Sequence, residues 1–127
     1  MVDFNLAGSL LALYFLNRNA NFRIRTPNDG IQPQAVVDHD GTLHLIYLKG
    51  SPDAGDIYYV RRSPGEGSFS KPIQVNSQHK SAMASCPMSS ASLAAGTHGV
   101  LAAWETAGQV YLATAFAKQD GTFVIVY

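Results

Sequence analysis

"PQAVVDHDGTLHLIYLKG", Pro33 to Gly50, decides the fold. Two runs of aliphatic and β-branched residues flank the pair Asp40-Gly41. Gly accepts the positive φ that a tight hairpin turn demands, so this pair is a strong hairpin signal. In the second run Leu43, Leu45 and Tyr47 share one face, and His44 and Ile46 share the other. That is the period of two that a strand imposes on its side chains. The stretch is read as an antiparallel hairpin, "QAVVD" and "TLHLIYL" joined by the turn "HDG", with Asp40-Gly41 as its two-residue signal. His39 is assigned to the turn surface and His44 to the strand surface.

The pattern continues outward from this hairpin. A loop "KGSPDAG" leads to "DIYYVRR", then "SPGEGSF", then "KPIQVN". Four strands thus fall in a short span, with no helical period between them. Tyr58 and Tyr59 must point to opposite faces, so at least one belongs to the core. The second half repeats the order with "SSASLAA", "GVLAAWE", "QVYLATAF", the turn "KQDGTF" and "VIVY". Pro33 corresponds to Pro87, Tyr47 to Trp104, Ile57-Tyr58 to Val110-Tyr111, and Gly67-Ser68-Phe69 to Gly121-Thr122-Phe123. A four-stranded antiparallel unit recurring after about 55 residues is the mark of a β-propeller blade. The expected fold is all-β: an incomplete β-propeller of about two blades, at about 31–77 and 85–127, within a region 21–127. A partial N-terminal blade precedes them, with "LALYFL" as its third strand and "NFRIRTP" as its fourth.

Composition narrows the partners. The chain has 127 residues, of which 46% are hydrophobic and 14% charged, enough to build one modest core. Nine basic residues balance nine acidic ones. This excludes a sequence-independent grip on nucleic acid, which needs clustered cations. It also gives no electrostatic attraction to an anionic membrane. The single cysteine, Cys86, excludes an internal disulfide and a multi-cysteine zinc site. Cys86 is read as a small hydrophobic filler. The histidines share no metal-ligand spacing, so neither metal nor cofactor is expected.

Residues 1–20 form an apolar N-terminal segment. "LAGSLLALYFL", Leu6 to Leu16, is too short to span a bilayer, which takes about 20 residues. A buried strand, a signal-like remnant and a short helix all fit its length. "MVDFN" before it carries no Lys or Arg, and "NRNA" after it makes a poor cleavage site.

"RRSPGEGSFSKPIQVN" resembles a worn form of the Asp-box of sialidases and related bacterial neuraminidase repeats. Ser63, Gly67, Ser68 and Phe69 fit that box, while Gly65 or Glu66 stands where its Asp belongs. The second copy keeps Asp120, Gly121, Thr122 and Phe123, with Ala117 in place of the Ser. The box is a folding device: its Gly reverses the chain, its polar side chains bond the turn, and its aromatic packs between sheets. The stretch from Phe22 to Phe123 as a whole is similar to sialidase-like propellers. Members of that family are commonly exported, and the apolar start is compatible with an extracellular or periplasmic protein.

The resemblance also implies a site. Sialidases hold the substrate carboxylate with three arginines, attack with a Tyr activated by a Glu, and use an Asp as acid/base. Their first arginine lies in a Phe/Tyr-Arg-Ile-Pro motif. Phe22, Arg23 and Ile24 match it here, with Arg25 at the Pro position. The resemblance makes Arg23 the carboxylate clamp, since a guanidinium suits bidentate capture. It makes Asp53 or Asp56 in "SPDAGD" the acid/base candidate. The structural alternative is that Arg23 lies on a solvated strand and Asp53 shapes a turn. Trp104 is a candidate sugar-stacking residue or an inter-blade packing residue.

The later arginines and the Tyr-Glu pair belong to blades that these residues do not contain. This favours a non-catalytic segment that binds glycan or protein over catalysis. The alternative is part of an exo-sialidase whose other catalytic blades are absent from this chain. Propellers close with four to eight blades, so two leave sheet faces open. A fragment of a longer protein, self-association into a ring through the open faces, or a small two-sheet sandwich would each satisfy that geometry.

Overall fold

The computed structural model describes residues 23–83, 91–118 and 122–126. The apolar segment 1–20, Phe22, Cys86, Pro87, Asp120 and Gly121 lie outside the described residues, and with them the readings placed on them.

The fold is all-β. Eight strands form two separate four-stranded antiparallel sheets. The first contains β1 (Ile31–Val37), β2 (Leu43–Ser51), β3 (Ala54–Arg62) and β4 (Ile73–Gln74), in that spatial order. The second contains β5 (Ser92–Gly96), β6 (Gly99–Thr106), β7 (Gln109–Ala117) and β8 (Phe123–Val126), again in order. Each sheet is a meander, in which every strand pairs with its neighbour in the sequence.

The first hairpin turns on "HDG", one residue more than the Asp40-Gly41 pair alone would supply. β1 and β2 stop pairing at Val37 and Leu43, and the Asp38 N–H donates to the Thr42 carbonyl at 3.0 Å. His39, Asp40 and Gly41 form a three-residue loop, with Gly41 in the left-handed region at φ 83°. The Asp38 carboxylate explains the extra residue. One of its oxygens accepts the N–H groups of both Asp40 and Thr42, which closes the wider loop from inside. The same closing bond recurs in the second sheet, from the Lys118 N–H to the Thr122 carbonyl.

Period-two patterning then sorts the side chains. Leu45, Tyr47, Tyr58 and Val60 share the back face of the first sheet, and Ile46, Leu48, Ile57 and Tyr59 share its front face. The front face packs on Ala102, Trp104, Ala113 and Ala115 of the second sheet, with Val75 and Ala82 closing the cluster. Small alanines on one side and large aliphatic and aromatic groups on the other let the two layers approach closely.

The internal repeat is visible in side-chain geometry. Tyr47 pairs with Tyr58 across β2–β3, and Trp104 pairs with Tyr111 across β6–β7. Both pairs stack, with centroids 6.0 Å and 5.7 Å apart. They lie on equivalent faces: the first on the back of sheet one, the second on the face of sheet two that meets sheet one.

The fourth strand expected over "NFRIRTP" does not form in its described part. Arg23 to Thr26 are irregular and lead into a 3₁₀ turn, Pro27–Asp29. Asn28 and Asp29 both have positive φ, which stops an extended run. This segment instead crosses the back face, where the Asn28 amide donates to the Tyr47 hydroxyl at 3.0 Å. Among the described residues, no helix is long and apolar enough to cross a membrane.

Candidate functional site

β2 and β3 carry a polar cluster at each end. The first lies at the β2–β3 turn, where a cleft of about 450 Å³ is lined by Lys49, Ser51, Asp56, Tyr58, His79 and Lys80. Asp56 pairs with Lys49 in the sheet register and is buried. A buried carboxylate needs several donors, and this one has them. Its Oδ1 accepts the Asn76 amide at 2.9 Å and the Lys80 N–H at 2.6 Å, and its Oδ2 lies 2.6 Å from His79 Nδ1. Asn76, also buried, accepts the Ile57 N–H at 2.8 Å and donates to the Gln78 carbonyl.

These bonds staple the segment after β4 onto β3. Lys80 is held at φ 58°, a strained value for a non-glycine residue. Gly55 and Ala82 exchange both backbone hydrogen bonds. A Cβ on Gly55 would sit 2.7 Å from Leu48 and 2.9 Å from the Lys49 carbonyl, so only glycine fits there. His79 is exposed while its Nδ1 is anchored on Asp56. Its Nε2 therefore faces the cleft's solvent without a partner among the described residues.

The second cluster lies at the β1–β2 turn. Asp38, buried His44 and buried Tyr59 form a chain: Asp38 Oδ2 to His44 Nε2 at 2.9 Å, and His44 Nδ1 to the Tyr59 hydroxyl at 2.7 Å. A carboxylate only accepts, so Nε2 carries the proton and Nδ1 accepts from the phenol. His44 thus corrects its strand-surface assignment. Its face is covered by the second sheet, and the loop bonds of Asp38 bring the partner that burial requires. The His44 hydrogen bond, reinforced by the loop N–H groups, holds the Asp38 carboxyl below its ordinary value against the cost of desolvation. Burial pushes the Tyr59 phenol far above its ordinary range. A neighbouring cleft of about 400 Å³ joins this chain to Arg61, Thr97 and His98.

The predicted site residues do not converge. Arg23 is exposed ahead of the 3₁₀ turn, and Asp53 sits at the tip of the β2–β3 turn, its N–H directed at the Ser51 hydroxyl. Neither lines the cleft that holds Asp56. Trp104 is buried in the inter-sheet core, the packing alternative of its two readings. In the box-like turn, Ser63 and Glu66 bond each other's groups, with the Glu66 carboxylate accepting the Ser63 N–H at 2.9 Å. Glu66 thereby does a turn-bonding job of the kind expected of the box's Asp. Gly67 and Ser68 are exposed, and Phe69 packs on the back face against Leu45, Tyr47 and Val60, under the Arg62 guanidinium. Thr122 is exposed and Phe123 opens β8.

Sequence reasoning missed Asn76 and the Asp38–His44 pair. A signal for the pair existed: Val36 faces His44, so Asp38 two positions on is its diagonal neighbour on one face. Among the described residues no group of three metal-ligating side chains occurs. Comparisons with protein-family models, curated proteins and solved structures find no match to this chain.

Proposed function

We propose that this chain is a non-catalytic, sialidase-like propeller segment that binds an acidic glycan at the β2–β3 end. The carrying observation is the cleft in which Lys49, Lys80 and His79 surround an Asp56 whose oxygens are already engaged. Two ammonium groups suit a sugar carboxylate, His79 Nε2 is placed to accept from a sugar hydroxyl, and the Tyr58 ring offers an apolar edge for a sugar face. An Asp that accepts three hydrogen bonds is committed to holding the loop. Together with the separation of Arg23 and Asp53 from the cleft, this supports binding over acid/base catalysis. The reading includes two blades of a propeller and self-association through an open blade face.

The test is NMR titration with a sialylated and a neutral oligosaccharide. Shifts at Lys49, Tyr58 and His79 are expected with the sialylated sugar alone, and Lys49→Glu with Lys80→Glu should abolish them. Shifts confined to other residues would refute the site. Turnover of a fluorogenic sialoside that Arg23→Ala abolishes would replace the reading with the exo-sialidase one.

A further inference from the structure

The four histidines of the chain stand in different surroundings. His44 is buried with both ring nitrogens engaged. His39 is exposed, and its Nε2 lies 3.1 Å from the equally exposed Asp40. His98 is exposed on the β5–β6 turn. His79 combines an exposed ring with a buried anchor: its side chain is 67% exposed, and its Nδ1 lies 2.6 Å from an Asp56 carboxylate that is 7% exposed. The Asn76 amide and the Lys80 N–H bond the other oxygen of that carboxylate and hold it in place.

A carboxylate only accepts, so the His79 proton sits on Nδ1 and the Nε2 lone pair faces the cleft. A carboxylate behind an imidazole also fixes the tautomer and raises the basicity of the far nitrogen. Lys49 and Lys80 line the same cleft, and ammonium groups bind phosphate as point charges.

We propose that His79 Nε2 is a phosphoacceptor, and that its phosphorylation closes the cleft to an acidic glycan. This control of the site rests on the glycan reading above; the phosphoacceptor does not. The donor class is a small phosphoramidate. The Nε2 lone pair attacks its phosphorus, and the Nε2–P bond forms. The donor's P–N bond breaks, and its nitrogen, already protonated, takes that electron pair and leaves as ammonia. The ring gains the positive charge, and its Nδ1–H presents that charge to the Asp56 carboxylate. A preorganised group of opposite sign stabilises charge as it develops. The phosphoryl oxygens then occupy the lysine-lined cleft and repel a sugar carboxylate.

The full chain is treated with potassium phosphoramidate and followed by mass spectrometry and phosphorus NMR. His79 should be labelled at least ~10-fold faster than His39 or His98, the low end of what a supporting carboxylate contributes. His79→Gln should lose that phosphoryl group. Asp56→Asn keeps a carbonyl oxygen for Asn76 and Lys80 but sets an amide N–H against Nδ1. The ring proton then moves to Nε2, and labelling of His79 should slow by ~10–100-fold with His39 unchanged. If that variant fails to fold, nitrogen NMR of the unmodified protein reports the tautomer: a proton on Nδ1 is expected, and a proton on Nε2 overturns the proposal. Labelling spread evenly over His39, His79 and His98 overturns it as well, as does an Asp56→Asn rate equal to the parent's. Labelled protein should lose the sialylated-sugar shifts at Lys49 and Tyr58, and unchanged shifts overturn the control of the site. Absence of those shifts in untreated protein would remove the glycan reading and the control with it, while the labelling still decides the phosphoacceptor.

Discussion

Replacing Asn76 by Ala tests whether the loop after β4 is held by one buried amide. The Asn76 side chain accepts the Ile57 N–H and donates to Asp56 and the Gln78 carbonyl, and the residue is 1% exposed. Truncation orphans the Ile57 N–H in the sheet interior, which costs about 1–3 kcal/mol. It also strips one donor from a buried carboxylate, worth about 1.5–3 kcal/mol for a bond to a charged group. Allowing for partial relaxation, the loss should be about 3–5 kcal/mol. An unfolding entropy near 2.1 cal/mol/K per residue over 127 residues converts this to a Tm drop of about 10–20 °C. Thermal unfolding followed by circular dichroism at neutral pH measures it. Asn76→Asp is the discriminating partner. It keeps an acceptor for Ile57 but sets a second carboxylate against Asp56, so it should be worse than Ala at pH 7 and recover as the pH falls. An Asn76→Ala loss below about 1 kcal/mol would refute the reasoning, because the desolvation cost of one orphaned N–H already reaches that value.

Two further outcomes follow from the same structure. Asp38 has its carboxyl pKa lowered from 3.8, so its contribution is full above that value and disappears as the pH falls through the lower, folded-state one. Asp38→Asn should therefore be less stable than the parent at pH 6 but lose less stability between pH 5 and pH 2, and parallel losses in denaturant titrations would contradict the pairing with His44. A Cβ added at Gly30 would lie 2.1 Å from the Tyr47 ring, so Gly30→Ala should cost about 1–3 kcal/mol and release the Asn28–Tyr47 contact; an unchanged midpoint would mean that the segment before β1 is not seated on the back face.

The strand order was largely legible because alternation and turn residues are local properties. "TLHLIYL" and "GVLAAWE" could sit as strands on pattern alone, and the correspondence of Tyr47 with Trp104 proved to be one of stacked cross-strand pairs. The site was less legible. Asp56, Asn76 and His79 belong to different elements, and only the pairing of β3 with β4 brings them together. The role of Asp38 was hidden for a similar reason: a side chain bonding its own loop leaves the Asp-Gly signature of the turn unchanged. The Arg23 reading rests on three adjacent letters, and nothing in those letters encodes the positive φ values after Pro27 that carry the chain across the back of the sheet.

Trp104 is the chain's only tryptophan, and it stacks on Tyr111 inside the seam between the two sheets. Intrinsic fluorescence excited at the indole band is therefore a private optical reporter of that seam. Emission should be blue-shifted in the native protein and move red when the layers part, even if both meanders stay hydrogen-bonded. A red shift that precedes the loss of far-ultraviolet dichroism would reveal delamination as a distinct step; coincident curves would mean that neither sheet persists without the other.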